Sequence, residues 1–166
     1  YEKDNFRLMP ETVKAAITER TKVLIMPFPN NPTGGIMSLE DYNAIAKVIK
    51  DTDIIVITDE IYNELTYTKE KSPSFANADG MYERTVVVNG FSKAYSMTGW
   101  RMGYMCAPRE LTRQMLKVHQ YAIMCAPTTS QFAAVEAMIN GDADVDMMRR
   151  EYNRRRRYLV SGLNGM

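Results

Sequence analysis

Ile54-Ile55-Val56-Ile57-Thr58-Asp59 is the stretch that decides the fold. Its first five residues are all β-branched, which favours extended backbone over helix. The run is apolar without alternation, as expected of a strand covered on both faces in a parallel sheet. Just upstream, Ser38-Leu39-Glu40-Asp41 opens a helix, with Ser38 as cap and Asp41 returning the bond. Leu39, Tyr42, Ile45, Ala46 and Ile49 then share one helical face.

The same alternation extends outward. Lys22–Met26 and Thr85–Asn89 read as two further strands, and Met102–Ala107 as a fourth. Pro10 to about Glu19 reads as a short helix, with Pro10 in the first turn. Pro108 to about Met124 reads as a helix with Leu111, Met115, Val118 and Ala122 inward. Thr128–Ile139 and Asp144–Leu163 complete a helical C-terminal third. Strands alternating with helices predict an α/β fold with a mostly parallel sheet.

Composition sets the outer bounds. The 166 residues are 45% hydrophobic and 25% charged, ordinary for a globular domain. Net charge is +1, so nothing global points to a nucleic acid partner. The run Arg154–Arg157, after Arg149 and Arg150, reads as a solvated or interdomain helix face. One histidine and no paired Cys or His spacing predict no metal. Cys106 and Cys125 read as small buried hydrophobes in a reducing compartment. No apolar run reaches membrane-spanning length and no signal peptide is present, which suggests a cytoplasmic protein with no membrane partner. The chain opens on Tyr1 rather than Met and reads as a segment of a longer protein.

The chemistry-bearing residues stand at strand ends. The first strand leads to Asn31-Pro32-Thr33-Gly34, the second to Asp59 and Tyr62, the third to Ser92 and Lys93. Parallel strands put all three ends on one edge, where open α/β sheets bind ligands. Desolvation disfavours an ammonium, so a lysine behind an apolar strand can free its amine for Schiff-base chemistry. Asp59 suits a cationic ring nitrogen, and the Arg101 fork suits phosphate. Taken singly, Lys93 reads as a surface lysine and Asp59 as a cap or turn aspartate. Asn31 alone reads as a turn residue, Arg101 as a surface arginine on Trp100, and Tyr62 as core or interface. Their joint order and spacing change those odds.

Asn31-Pro32-Thr33-Gly34, Asp59-Glu60-Ile61-Tyr62 and Ser92-Lys93-Ala94-Tyr95-Ser96-Met97-Thr98-Gly99-Trp100-Arg101 together resemble the class I/II aminotransferases, which are fold-type I pyridoxal 5'-phosphate (PLP) enzymes. The resemblance implies a three-layer α/β/α large domain. Residues 1–143 would be the C-terminal half of that domain, and 144–166 a helix leading toward an absent small domain. It implies that Lys93 forms the Schiff base with PLP and then moves the substrate proton. Asp59 would pair with the ring nitrogen, Tyr62 and Asn31 would bond the phenolic oxygen, and Arg101 would grip the phosphate. Many relatives carry a hydroxyl residue two positions before Ser92. Here that position is Gly90, so Ser92 or a residue outside the chain would supply the bond, or the bond is absent.

The resemblance implies transfer of an amino group between an L-amino acid and a 2-oxo acid, by a homodimer in the full-length protein. A carbon–sulfur lyase of the same fold is the nearest chemical rival, and Thr33 favours transamination. A non-catalytic PLP-binding regulatory domain is a rival of another class. With only half a domain present, exposed sheet edges and self-association are expected.

Overall fold

A computed structural model describes residues 2–166. Four strands form one sheet in the order β1 (Val23–Pro27), β2 (Ile55–Asp59), β3 (Thr85–Gly90) and β4 (Gly103–Cys106). β1, β2 and β3 are parallel, and β4 returns antiparallel beside β3. The helices are α1 (Pro10–Ala16), α2 (Leu39–Ile49), α3 (Arg109–Ala122), α4 (Thr128–Asn140) and α5 (Asp142–Asn164). The expected α/β architecture and mostly parallel sheet are present. Among the described residues, no helix is long and apolar enough to cross a membrane.

The main core lies between α2 and one face of the sheet. Tyr42, Ile45 and Ile49 of α2 are fully buried with Met26 of β1 and Val56 of β2. Phe75 closes this core from the loop after β2, its ring edge-on to Tyr42 at 5.4 Å. α2 starts where its sequence dictates. The Ser38 hydroxyl accepts from the Asp41 N–H at 3.1 Å, and the Asp41 carboxylate accepts from the Ser38 N–H at 2.9 Å. Its far end is closed by a residue from another element. Arg84 Nη1 donates to the carbonyls of Ile49 (3.1 Å) and Thr52 (2.6 Å), adding a charged donor where the helix ends and the chain turns.

The register puts Pro27, Asp59 and Val88 side by side, so the loops after β1, β2 and β3 leave from one edge. A smaller cluster of Phe91, Met97 and Ala134 packs the segment after β3 against α4.

Three expectations need correction. Cys106 and Cys125 are both exposed, not buried. Cys106 ends β4, whose four residues are all exposed at the sheet edge, and Cys125 lies in the turn between α3 and α4. α3 does not bury the face assigned to it. Leu111 and Met115 are half-buried, but Val118 is 71% exposed and Ala122 is open, so the C-terminal half of this helix stays exposed among the described residues. Leu39 also stays largely exposed, since it sits at the first turn of α2, outside the core that its four companions enter. The other face of the sheet is open at its β1 end, where Val23 and Ile25 are 44% and 64% exposed.

Candidate active site at the carboxyl edge of the sheet

The loop after β1 is shaped by its own side chains. Thr33 Oγ1 donates to Asn30 Oδ1 at 2.8 Å, and the Gly34 N–H donates to the Asn30 carbonyl at 2.9 Å. Gly34 has φ +73°, a left-handed conformation that glycine adopts without strain. This turn presents Asn31 toward the loop after β2, where Asn31 Nδ2 donates to the Tyr62 hydroxyl at 3.1 Å.

β2 delivers Asp59, half-buried, whose Oδ1 accepts the Ile61 N–H at 3.1 Å. Next to it, Glu60 is buried, and its Oε1 accepts from the Ser74 hydroxyl (2.7 Å), the Thr58 hydroxyl (3.2 Å) and the Phe75 N–H (3.2 Å). Burial pushes the Glu60 carboxyl above the ordinary glutamate range, against the pull of those three bonds. Glu60 therefore ties the Asp59–Tyr62 segment to the loop around Phe75.

β3 delivers Ser92 and Lys93, both half-buried. Lys93 Nζ lies over the Tyr62 ring, 5.7 Å from its centroid. The segment behind the lysine is held in an unusual conformation. Ser96 and Arg101, neither a glycine, have φ of 53° and 52°. Such residues cost about 1–3 kcal/mol each and persist where the surroundings hold them. The holding bonds are visible: Thr98 Oγ1 to the Ser92 carbonyl (2.8 Å), Arg101 Nη1 to the Thr98 carbonyl (2.9 Å), and Ser130 Oγ to the Trp100 carbonyl (2.6 Å). Ser130 is buried on α4, so this segment is fastened to the helical layer.

Gly90 has a steric reason. A Cβ there would lie 3.0 Å from the Gly103 Cα and 3.1 Å from the Met102 carbonyl oxygen. β3 and β4 run closely together at this pair, and no hydroxyl side chain fits without backbone movement.

Two cavities meet at Tyr62. One, about 450 Å³, is lined by Lys93, Ser92, Ser96, Thr98 and Tyr62, with Tyr152 from α5. The other, about 510 Å³, is lined by Asn31, Tyr62, Tyr67 and Arg156, among others. Tyr62, Leu65 and Tyr67 line both. A third cavity of about 500 Å³ lies beside Arg7 and Asp41. There Arg7 and Asp41 form an ion pair at 3.0 Å, and Asp41 also caps α2; the lysine does not line this cavity.

Asn31, Tyr62, Ser92 and Lys93 are thus brought together around two adjoining cavities. Asp59 lies on the same edge without lining either, and so does Arg101, exposed at the end of the turn after Lys93. Sequence reading missed Tyr152, Arg156 and Tyr67. The four-residue spacing of Tyr152 and Arg156 puts them on one helix face, but nothing in the sequence said what that face meets.

The family profile "Aminotransferase class I and II" matches residues 1–166. A relative from Bacillus subtilis (strain 168) named "Putative aminotransferase YugH" is 51% identical over 159 residues, covering 96% of this chain and 41% of the relative. The aspartate aminotransferase of Pyrococcus abyssi is 42% identical over 168 residues, covering 100% of this chain and 43% of the relative. The crystal structure of an aromatic aminotransferase from Pyrococcus horikoshii superposes with a TM-score of 0.93 at 41% identity, covering 99% of this chain and 45% of that one. The chain therefore spans about two fifths of the length of the curated relatives it matches (41% and 43%). With the profile matched from end to end, the chain belongs to the class I and II aminotransferase family.

Proposed function

We propose that the whole protein is a PLP-dependent aminotransferase that moves an amino group between an L-amino acid and a 2-oxo acid. The observation that carries this reading is the meeting of three loops on Tyr62, which accepts from Asn31 at 3.1 Å and lies 5.7 Å beneath the Lys93 amine. The donor set fits PLP. An amine suits the aldehyde, a phenol and an amide suit the phenolic oxygen, and a carboxylate suits the ring nitrogen.

When bound, PLP supplies an electron sink for the electron pair left at the substrate Cα. The residues then divide the work. Lys93 would condense with the aldehyde carbon, releasing water, and once the substrate amine displaces it, its freed amine would move the proton at the substrate Cα. The Tyr62 hydroxyl accepts from Asn31 and so keeps its own proton to donate into the cavity. Asp59 would hold positive charge at the ring nitrogen, and Arg101 and Ser92 would hold the phosphate. On this reading residues 1–143 are the C-terminal half of a cofactor-binding domain, and 144–166 lead toward a further domain. The same reading makes the whole protein a cytoplasmic homodimer.

The test is a half-reaction on the protein expressed from its complete reading frame. An amino donor without acceptor should convert bound PLP to pyridoxamine phosphate and release one equivalent of 2-oxo acid. Binding of PLP with no conversion would favour a regulatory domain. Release of ammonia from a β-thio amino acid, without pyridoxamine phosphate, would favour a carbon–sulfur lyase.

A further inference from the structure

β2 enters the candidate site with its two faces put to different use. Val56, Thr58 and Glu60 alternate into the buried side, while Asp59 is only half-buried. Glu60 is 4% exposed, beside the core that holds Val56, Tyr42 and Phe75. A carboxyl there is costly unless it is bonded. Its Oε1 accepts from the Ser74 hydroxyl (2.7 Å), the Thr58 hydroxyl (3.2 Å) and the Phe75 N–H (3.2 Å). Its backbone is fixed as well. The Glu60 N–H donates to the Val88 carbonyl on β3 at 2.9 Å, and the Glu60 carbonyl accepts the Asn63 N–H at 2.9 Å, closing the turn that carries Tyr62.

These bonds fall between two groups given separate tasks above. Asp59 stands just before Glu60, and Tyr62 two positions after it. Val88, bonded to Glu60, lies on the strand that leads to Lys93. Glu60 itself lines neither the Lys93 cavity nor the one at Asn31, and the same holds for Ser74. An apolar side chain could fill the space, but apolar contact has no direction. An acceptor shared by three donors does have one, and here it fixes where the chain leaves β2.

We propose that Glu60 is a positioning residue for the reaction: it holds β2, the turn after it and the loop at Ser74-Phe75 in one arrangement, and so aims Asp59 and Tyr62 at the cofactor ring without touching it. This rests on the aminotransferase reading and adds to it a residue that acts through two others.

The test uses the protein expressed from its complete reading frame and loaded with PLP. Trapping of PLP on Lys93 by borohydride is checked first, and its failure would remove the aminotransferase reading itself. With Lys93 trapped, kcat per bound PLP and KM for an amino donor are measured in Glu60→Gln, Glu60→Met and Ser74→Ala. The pH midpoint at which bound PLP changes its absorbance is measured alongside. Glu60→Met should lower kcat by roughly 10–100-fold with KM little changed, as misplaced groups do. Its midpoint should rise by about 0.5–1 pH unit, the worth of a weakened hydrogen bond to the phenolic oxygen. Glu60→Gln keeps the acceptor and should restore most of both. Ser74→Ala removes one donor from outside β2 and should lower kcat by roughly 2–10-fold; it carries the test if Glu60→Met fails to fold. A loss of folded protein reduces the amount of bound PLP, but neither the rate per bound PLP nor the midpoint. Wild-type kcat and midpoint in both Glu60→Met and Ser74→Ala would overturn the proposal. So would a Glu60→Gln protein as impaired as Glu60→Met, because the shared acceptor would then not be what counts.

Discussion

Asn31 Nδ2 lies 3.1 Å from the Tyr62 hydroxyl and donates to it, joining the loops after β1 and β2 across 31 positions of sequence. The bond orients the phenol that stands beneath the Lys93 amine. Neither residue alone points to chemistry, but the parallel register of β1 and β2 brings them together. Asn31→Ala and Tyr62→Phe should each weaken PLP retention by roughly 5–30-fold, the range for losing one or two hydrogen bonds to an anion. Because they share a bond, the double variant should lose less than the product of the two. A coupling of about 0.5–3 kcal/mol in the double-mutant cycle is expected, and independent effects would refute the shared role.

Arg84 is a second long-range fastening, from the start of β3 to the end of α2. Removing it leaves the Ile49 and Thr52 carbonyls without their charged donor. Arg84→Ala should cost roughly 1–3 kcal/mol in urea unfolding. Arg84→Lys should restore only part, because one ammonium cannot reproduce the fork. An unchanged unfolding midpoint in Arg84→Ala would show that the cap contributes nothing.

Glu60 makes stability depend on pH in a stated direction. Burial raises its carboxyl above the ordinary value of 4.5, so the folded chain holds the proton more tightly than the unfolded chain. The resulting stabilisation is fully present below the unfolded value. It is lost as pH rises through the window up to the folded value. Glu60→Gln keeps an oxygen acceptor for Ser74, Thr58 and Phe75 but cannot ionise. Thermal melts should therefore show wild type losing stability relative to Glu60→Gln as pH rises from about 4.5. Parallel curves for the two proteins would mean that Glu60 ionises as freely when folded.

Gly90 stands where the family resemblance implies a hydroxyl, and the close approach of Gly103 gives a steric reason for having no side chain there. Gly90→Ser should destabilise by roughly 1–3 kcal/mol, as overpacking does, without tightening PLP binding. A stable Gly90→Ser protein with improved PLP affinity would show instead that the hydroxyl was merely missing.

The fold was largely legible in the sequence because β-branched runs and a capping box are local signals. Ile54–Thr58 and Ser38–Asp41 needed no neighbour to be read, and all four strands fall within a residue or two of expectation. The edge position of Asn31, Asp59, Tyr62, Ser92 and Lys93 followed from parallel pairing alone. What was illegible depends on which element lies opposite. Val118 and Ala122 obey helical periodicity, yet both are exposed. Cys106 and Cys125 are small and apolar, yet they fall at an edge and a turn. Arg156 reads as one more solvated arginine until the Tyr67 ring is seen beside it.

The central claim is that Lys93 is the amine that holds PLP, and borohydride reduction followed by peptide mapping tests it most directly. The protein from the complete reading frame is incubated with PLP, reduced and digested, with Lys93→Ala alongside. The account predicts one modified peptide, carrying the label on Lys93 and absent from the variant. A label scattered over other lysines, or a protein that remains unlabelled at Lys93, would contradict it.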